Sequence, residues 1–545
     1  MYQDWSPLVN QEYRRERQLC EFFAAQTFFE VLTDHLKSAA SSFMEFSKVE
    51  ALLHRDGMQL LKLMLQGFLD CCSREEQRQK QVSGADSVLR RYVKKECSRT
   101  LMTLFGEVSI KRLGYYARKK QAATQIIPED AIVPIDPSIH ENPSHQAHLL
   151  SKGRLNSLHP LDGKLNLPKT KYSYGLAERM CEAVVHQSFE GTLATLESTT
   201  GGKIPKRQAE EMAIEISQDF NAFYEKKETK ESTVQDLLCL TTDGKGIVVK
   251  ENGLREATRK AAQKEKHKLQ TRLCRGEKRN RKRMATVAAV YSIARHIRTA
   301  ESIVPRDPAE ENSKPPRVSN KRVWASLERD ARTVIEEIFQ EGLSRDPQKQ
   351  REWVILVDGQ EHQLNLIQKS IRQHEVKPTI VLDFIHALEY LWKAAYCFHS
   401  EGSQEAEQWV KERALRVLEG QSSNVAAGIR RSATRKDLLP ENRKAVDKCA
   451  NYFLNNKDLM HYDQYLAKGY PIATGVIEGA CRHLIKDRMD ITGARWSLKG
   501  AEAILKLRSL RSSGDFEEYW TYYVSRSFER NHASCYNNEE WLQVA

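Results

Sequence analysis

Two strand-length apolar runs, Leu237 to Thr242 and Trp353 to Val357, each lead straight into an Asp-Gly pair, at Asp243 and at Asp358. A third acid, Glu478, stands in the phrase Thr-Gly-Val-Ile-Glu478-Gly-Ala-Cys-Arg, where Thr474-Gly475 reads as a helix start and puts the carboxylate about one turn in. Acidic residues are uncommon directly after β-branched runs. Three such stretches on one basic chain point to a site for hard divalent cations and to cleavage of a phosphate backbone.

Each acid also has a plainer reading. Asp243-Gly244 and Asp358-Gly359 match the commonest hairpin-turn signal. Glu478 can pair with Arg482 four residues on, a surface contact worth a few tenths of a kcal/mol. Glu361, close behind Asp358, is a less fitting substitute for it. Leu382-Asp383-Phe-Ile-His386 places an Asp and a His at a strand-to-helix junction, where Asp383 can cap the helix beginning at Phe384 with His386 packed beside it. The same pair, beside a metal site, would orient a substrate or order the catalytic helix.

The 545-residue chain carries 85 Lys and Arg against 73 Asp and Glu, a formal charge of +12. Between Arg255 and Arg283 there are 13 Lys or Arg against three Glu, +10 in 29 residues, so the excess is local. Such a run is either a solvated face or a seat for a polyanion, and its density favours nucleic acid. Arg272, Arg275, Lys278, Arg279, Arg281, Lys282 and Arg283 are its densest part. Arg482, Lys486 and Arg488, with His483, form a second cationic run on the glutamate helix, suited to a phosphodiester backbone. Eleven cysteines without a C-x-x-C pair fit reduced thiols in a cytosol. Neither a signal-peptide h-region in residues 1–17 nor an 18-residue apolar run is present, so secretion and membrane spanning are not expected. No phosphate-binding G-x-x-x-x-G-K-[ST] loop or dinucleotide G-x-G-x-x-G fingerprint occurs. Cys481-Arg-His483 and Cys397-Phe-His399 are too isolated for a zinc site.

Periodicity divides the chain further, into an α/β part with additional all-helical regions. Residues 1–95 read as an N-terminal helical region, with apolar three- and four-residue spacing from Glu12 to Lys94, and residues 96–136 as a small β-segment with a hairpin over Thr100 to Tyr116. Residues 137–170 read as a linker, followed by a helix-turn-helix-like region, 171–230, whose second helix opens on Lys206-Arg207 after the Gly201-Gly202 and Pro205 turn. An ordinary helical hairpin is the alternative there, since the turn is longer than usual. Strand signals mark a core over 231–399 at Leu237–Thr242, Ile247–Lys250, Thr286–Ile293, Trp353–Val357 and Thr379–Leu382, with helices predicted at 323–339 and 365–371. A polar helical insertion, 400–470, precedes the glutamate helix in 471–512, and 513–545 is a tail.

With these residues in hand, the chain resembles the DDE transposases with an RNase H-like fold, and more closely the bacterial insertion-sequence transposases of the Kra type, relatives of the Mutator-like group. The phrases Thr103-Leu-Phe-Gly-Glu-Val-Ser-Ile-Lys-Arg112 with Tyr115-Tyr116, and Leu165-Asn-Leu-Pro-Lys-Thr-Lys-Tyr-Ser173, are similar to that family's N-terminal β-segment and the lead-in to its DNA-binding helices. The resemblance implies an RNase H-like mixed sheet flanked by helices, with Asp243 on its first strand, Asp358 after its fourth and Glu478 on a late helix beyond a helical insertion. It implies that these three acids are catalytic and bind two Mg²⁺ ions, for which Mn²⁺ can substitute, roughly 3.5 to 4 Å apart. Asp383 and His386 would then stand at the family's C/D-x-x-H position. The expected partners are double-stranded DNA, as terminal inverted repeats and as target, and further copies of the chain. Two alternatives remain: a structure-selective metal-dependent nuclease of the same fold without strand transfer, and a domesticated DNA-binding protein with a dead site.

Overall fold

A computed structural model describes residues 21–117, 157–228, 234–264, 281–304 and 316–537, with 269, 271, 272 and 274. The chain divides into two compact units, residues 1–212 with 520–545 and residues 213–519. None of the described helices is long and apolar enough to cross a membrane.

In the first unit the helices Phe23–Ser41 and Phe46–Glu75 precede a short pair of strands, β1 (Val82–Ser83) and β2 (Leu89–Arg90). The long hairpin β3 (Tyr92–Thr103) and β4 (Gly106–Tyr116) follows. Alternation along β4 sends Val108 and Ile110 inward and Glu107 and Lys111 outward, so the hairpin covers a core of Leu69, Leu101, Val108, Ile110, Leu161 and Leu167. The helical pattern expected to reach Lys94 stops at Glu75, because Tyr92 and Val93 pair with Tyr116 and Tyr115. Most of the expected linker lies outside the described residues. Its end is ordered as the turn of helix Pro160–Lys164, where Asp162 accepts from Arg99 (3.2 Å) and Arg112 (2.6 Å).

Three helices, Tyr174–Val184, Phe189–Thr199 and Lys206–Ile216, occupy the region expected to be helix-turn-helix-like. Ser173 and Ser188 cap the first two through Leu176 N–H and Gly191 N–H. The Gly-Gly turn has a packing cause. A Cβ at Gly201 would lie 2.5 Å from the Phe105 carbonyl, and one at Gly202 2.8 Å from the Thr103 carbonyl, so the tip of the β3–β4 hairpin admits only bare backbone there.

The second unit is built on a five-stranded mixed sheet, ordered β7-β6-β5-β8-β9, of β5 (Leu237–Val248), β6 (Lys282–Ile293), β7 (Ser319–Ser326), β8 (Trp353–Val357) and β9 (Thr379–Leu382). Only β6 runs against the others. Leu237 to Thr242 and all of β8 are buried, which explains their unbroken apolar and β-branched character. One plainer reading and one expectation fail. Asp243-Gly244 is no turn: β5 continues through it to Val248, held by twelve successive pairings with β6. Val323 to Ser326, expected in a helix, are the buried end of β7, and the helix begins only at Ala331, capped by Asp330.

Helices Ala331–Arg345, Glu361–His374 and Phe384–Ala395 alternate with the later strands, and four more between Gln404 and Ala467 fill the stretch expected to be helical. Helix Leu498–Ser513 is buried on nearly every side. It is tied to the end of β7 by Glu502, which accepts from Ser326 Oγ (2.8 Å), Leu327 N (2.7 Å) and Glu328 N (3.2 Å).

Candidate active site

Asp243 lies where β5 outruns its neighbour. The β5–β8 pairing ends at Thr241 with Leu356, so two residues further along each parallel strand Asp243 stands level with Asp358. Beyond that point Gln363, on the helix that follows Asp358, supplies the missing ladder bond: its Nε2 donates to the Thr242 carbonyl at 2.8 Å. Gln363 thereby fixes the helix after Asp358 against the strand that carries Asp243.

The Asp243 side chain is 21% exposed, and its Oδ2 takes an ion pair from Lys245 (3.1 Å) and a hydrogen bond from the Cys481 thiol (3.2 Å). Lys245 shares its face of the strand because strand side chains alternate. Burial works against the Lys245 ammonium, but the Asp243 carboxylate outweighs it, with smaller help from Cys481 and Glu478, so its pKa is raised. Burial, then the negative charge of Asp243, hold the Cys481 thiol far above its ordinary range and keep it a neutral donor.

Asp358 closes β8 in a side-chain turn, its Oδ1 accepting from Gln360 N at 2.9 Å, while Gly359 at φ +86° turns the chain into the helix Glu361–His374. Tyr452 holds the Asp358 carbonyl at 3.0 Å. Glu478 is exposed on helix Gly475–Ala480, one turn before Cys481. That helix continues as a π-helical stretch, Cys481–Lys486, and a last turn, Asp487–Met489. Its inner face, Ile477, Ala480, Cys481, Leu484 and Ile485, is buried. π-Helical stretches within α-helices occur frequently at functional sites.

Asp383 is fully buried and couples the two ends of the site. It caps its own helix through Ile385 N (2.9 Å), accepts the Thr474 hydroxyl at the start of the Glu478 helix, and donates its backbone N–H to Val357 at the end of β8 (2.8 Å). Burial raises the Asp383 pKa against the pull of the Thr474 and Ile385 bonds. The charge of His386, one turn on, also pulls the Asp383 pKa down, and the imidazole is 3.9 Å from Glu389.

The expected cationic contacts divide. Lys206 is exposed and paired with Glu190, and Arg207 pairs with Glu211 at 2.9 Å. Arg272, Lys282, Arg482 and Lys486 are exposed, and Arg281 is half-buried. Arg275, Lys278 and Arg279 lie outside the described residues. Arg283 is a structural tie, bonding the carbonyls of Leu327 (2.7 Å), Gly253 (2.9 Å) and Glu328 (3.3 Å). Arg488 is 2% exposed and stacks on Trp496 with 4.8 Å to the ring centre, so it is a core residue and not part of the outward cationic run. Two residues beyond Lys486 is about 200° around a helix, which turns it inward.

Among the described residues no three His, Cys, Asp or Glu side chains are gathered closely enough to hold one ion. The donor chemistry nonetheless suits a hard divalent cation: Asp243 on β5 and Asp358 just past the end of β8 each lie two residues beyond the last paired residues of the two neighbouring strands, Glu478 rides on the helix that touches Asp243, and the Lys245 ammonium supplies the positive charge at Asp243. Sequence reasoning missed Lys245, Cys481 and Gln363 as contacts of the site, and read Thr474 as a helix start but not as a partner of Asp383. The first two carried a signal, Lys245 by its i+2 position on the strand of Asp243 and Cys481 by its i+3 position from Glu478. The other two act across 121 and 91 residues and carried none. Compared with protein-family models and with curated proteins, the chain matches none.

Proposed function

We propose that this chain is a DNA transposase of the DDE kind, with an RNase H-like core, that binds element ends, cleaves the strand and joins the freed 3′ end to target DNA. The observation that carries the reading is that Asp243, on the first strand of the sheet, stands level with Asp358, after the fourth, while the helix bearing Glu478 is joined to Asp243 through Cys481. The strand positions and the late helix are those the family resemblance implies.

In this reading Asp243, Asp358 and Glu478 hold Mg²⁺, which when bound supplies Lewis acidity and a more acidic water for phosphodiester cleavage. The remaining tasks belong to the chain. Gln363 sets the spacing of the two aspartates, and Asp383 with Thr474 sets where the Glu478 helix starts. Lys245, released from Asp243, is placed to neutralise a phosphate oxygen. The exposed cations Arg482, Lys486 and Arg272 are available to the phosphate backbone, with Lys206 and Arg207 on the helix that the resemblance assigns to end binding.

The test uses labelled terminal-repeat DNA and a target plasmid with Mg²⁺. Asp243→Ala, Asp358→Ala and Glu478→Gln are each expected to abolish nicking and joining while leaving the gel-shift affinity for DNA within a few-fold. An Asp243→Ala protein that still joins ends overturns the assignment. Pre-cut ends that are never joined by the unaltered protein reduce it to a nuclease.

A further inference from the structure

The helix Phe46–Glu75 has three sides, and two are taken. Near its C-terminal half Phe22 packs on Gly67, and towards the β3–β4 hairpin Leu65 and Leu69 join the core of the first unit. The third side faces solvent and is apolar. Phe46, Leu53, Leu61, Met64 and Phe68 are all exposed large hydrophobics, Phe46 at 74% and Phe68 at 49%. At 100° per residue these five, with Glu50 and Gly57, fall within an arc of about 80°. Over the 22 steps from Phe46 to Phe68 that arc forms a straight strip about 33 Å long.

The strip is symmetric about its middle. Gly57 has nothing within 4 Å of where a Cβ would be. Leu53 and Leu61 lie four residues to either side of it, and Phe46 and Phe68 eleven. A two-fold axis sets each residue against its mirror position in the other copy, and this strip places apolar residues at the mirror positions four and eleven residues from its central glycine, so it can pair with itself. With the axis at Gly57, Phe46 of one copy meets Phe68 of the other and Leu53 meets Leu61, and two bare glycines allow the helices to approach closely. Glu50 is the single charged member, and its mirror position is Met64, so no like charges face each other. The exposed parts of the strip come to roughly 500 Å² per copy, and pairing removes on the order of 1,000 Å² from water, the lower bound for a specific interface.

We propose that this strip is a homodimer interface, in which two copies pack their Phe46–Glu75 helices antiparallel across a two-fold axis at Gly57. The proposal does not depend on the catalytic reading, and its tests involve no activity.

The full chain is expected to sediment as a dimer at tens of micromolar. The double variant Leu53→Glu with Leu61→Glu, both surface positions, is expected to sediment as a monomer with an unchanged circular dichroism spectrum and a urea midpoint that no longer depends on protein concentration. A Gly57→Cys variant treated with a short bis-maleimide is expected to give, by mass spectrometry, a peptide cross-linked to its own copy through the introduced thiol. Lys48→Cys, on the far side of the helix, is expected to give no such self-linked peptide. Three results overturn the proposal: a monomeric unaltered chain, a dimer indifferent to the two glutamates, or a dimer in which the Gly57→Cys variant forms no self-link. A monomer in which deletion of residues 1–20 exposes the strip to a solvatochromic dye would instead assign that segment as its cover.

Discussion

Replacing Asp383 with alanine removes a buried acceptor from two donors on different elements, Ile385 N at 2.9 Å and the Thr474 hydroxyl. Loss of the cap costs about 1 kcal/mol. Leaving the buried Thr474 hydroxyl without its acceptor costs about 1–2 kcal/mol more, and relief of the buried carboxylate returns part of it. The net is about 2 kcal/mol, which at a urea dependence of roughly 3 kcal/mol per molar lowers the midpoint by about 0.7 M. The loss is local as well as global, because Glu478 N bonds the Thr474 carbonyl at 3.0 Å. Amide exchange over Gly475–Ala480 is therefore expected to speed up more than exchange in helix Ala331–Arg345. The pH dependence has a definite sign. Burial raises the folded-state pKa of Asp383 above 3.8, so the native protein holds this proton more tightly than the unfolded chain. The side chain's contribution is then most favourable below about 3.8 and declines as pH rises through the raised value. Asp383→Asn, which cannot ionise, is expected to gain on the unaltered protein across that window. An Asp383→Ala protein with an unchanged midpoint and unchanged exchange at Gly475–Ala480 would refute the coupling of Asp383 to the glutamate helix.

Gly359→Ala forces a side chain onto φ +86° and sets its Cβ 2.9 Å from Leu382 Cδ1, so the urea midpoint is expected to fall by the equivalent of about 1–3 kcal/mol. Glu502→Ala strands the donors of Ser326, Leu327 and Glu328 and is expected to cost about 3 kcal/mol in the same assay. The two arginines of the glutamate helix should part company. Arg488→Ala is expected to lower stability by about 2–3 kcal/mol, whereas Arg482→Ala should leave the midpoint alone and reduce the salt dependence of DNA binding by about one ion.

The strands β8 and β9 were legible to the residue because both are short apolar, β-branched runs that stop at an aspartate, β8 buried throughout and β9 at its end. β7 was not, since Val323, Trp324 and Ala325 continue smoothly into the helical periodicity beyond Ala331, and only pairing with β6 holds them extended. Asp243-Gly244 has the local chemistry of a turn, and the long antiparallel partner overrides it. The three candidate acids stood out in the sequence because Asp358 and Glu478 sit at or near the end of an element and Asp243 directly follows the buried apolar run of its strand. The partners that fix them, Gln363 and Thr474, were not, because their contacts bridge distant parts of the chain and leave no trace in spacing. Residues 46–75 gave a helix but not its orientation, because apolar residues such as Leu61 and Leu65 occupy both the solvent side and the core side.

The widened winding at Cys481–Lys486 acts as a vernier on the helix that carries Glu478. A π turn accommodates a surplus residue relative to regular winding. Wound regularly, the same number of residues would turn everything beyond the stretch by up to about 100° relative to what precedes it. The Leu484 carbonyl that accepts from Arg508 at 3.0 Å and the thiol that touches Asp243 would then no longer be in phase. The extra residue is what lets one continuous rod satisfy a buried anchor at one end and a half-open acid at the other.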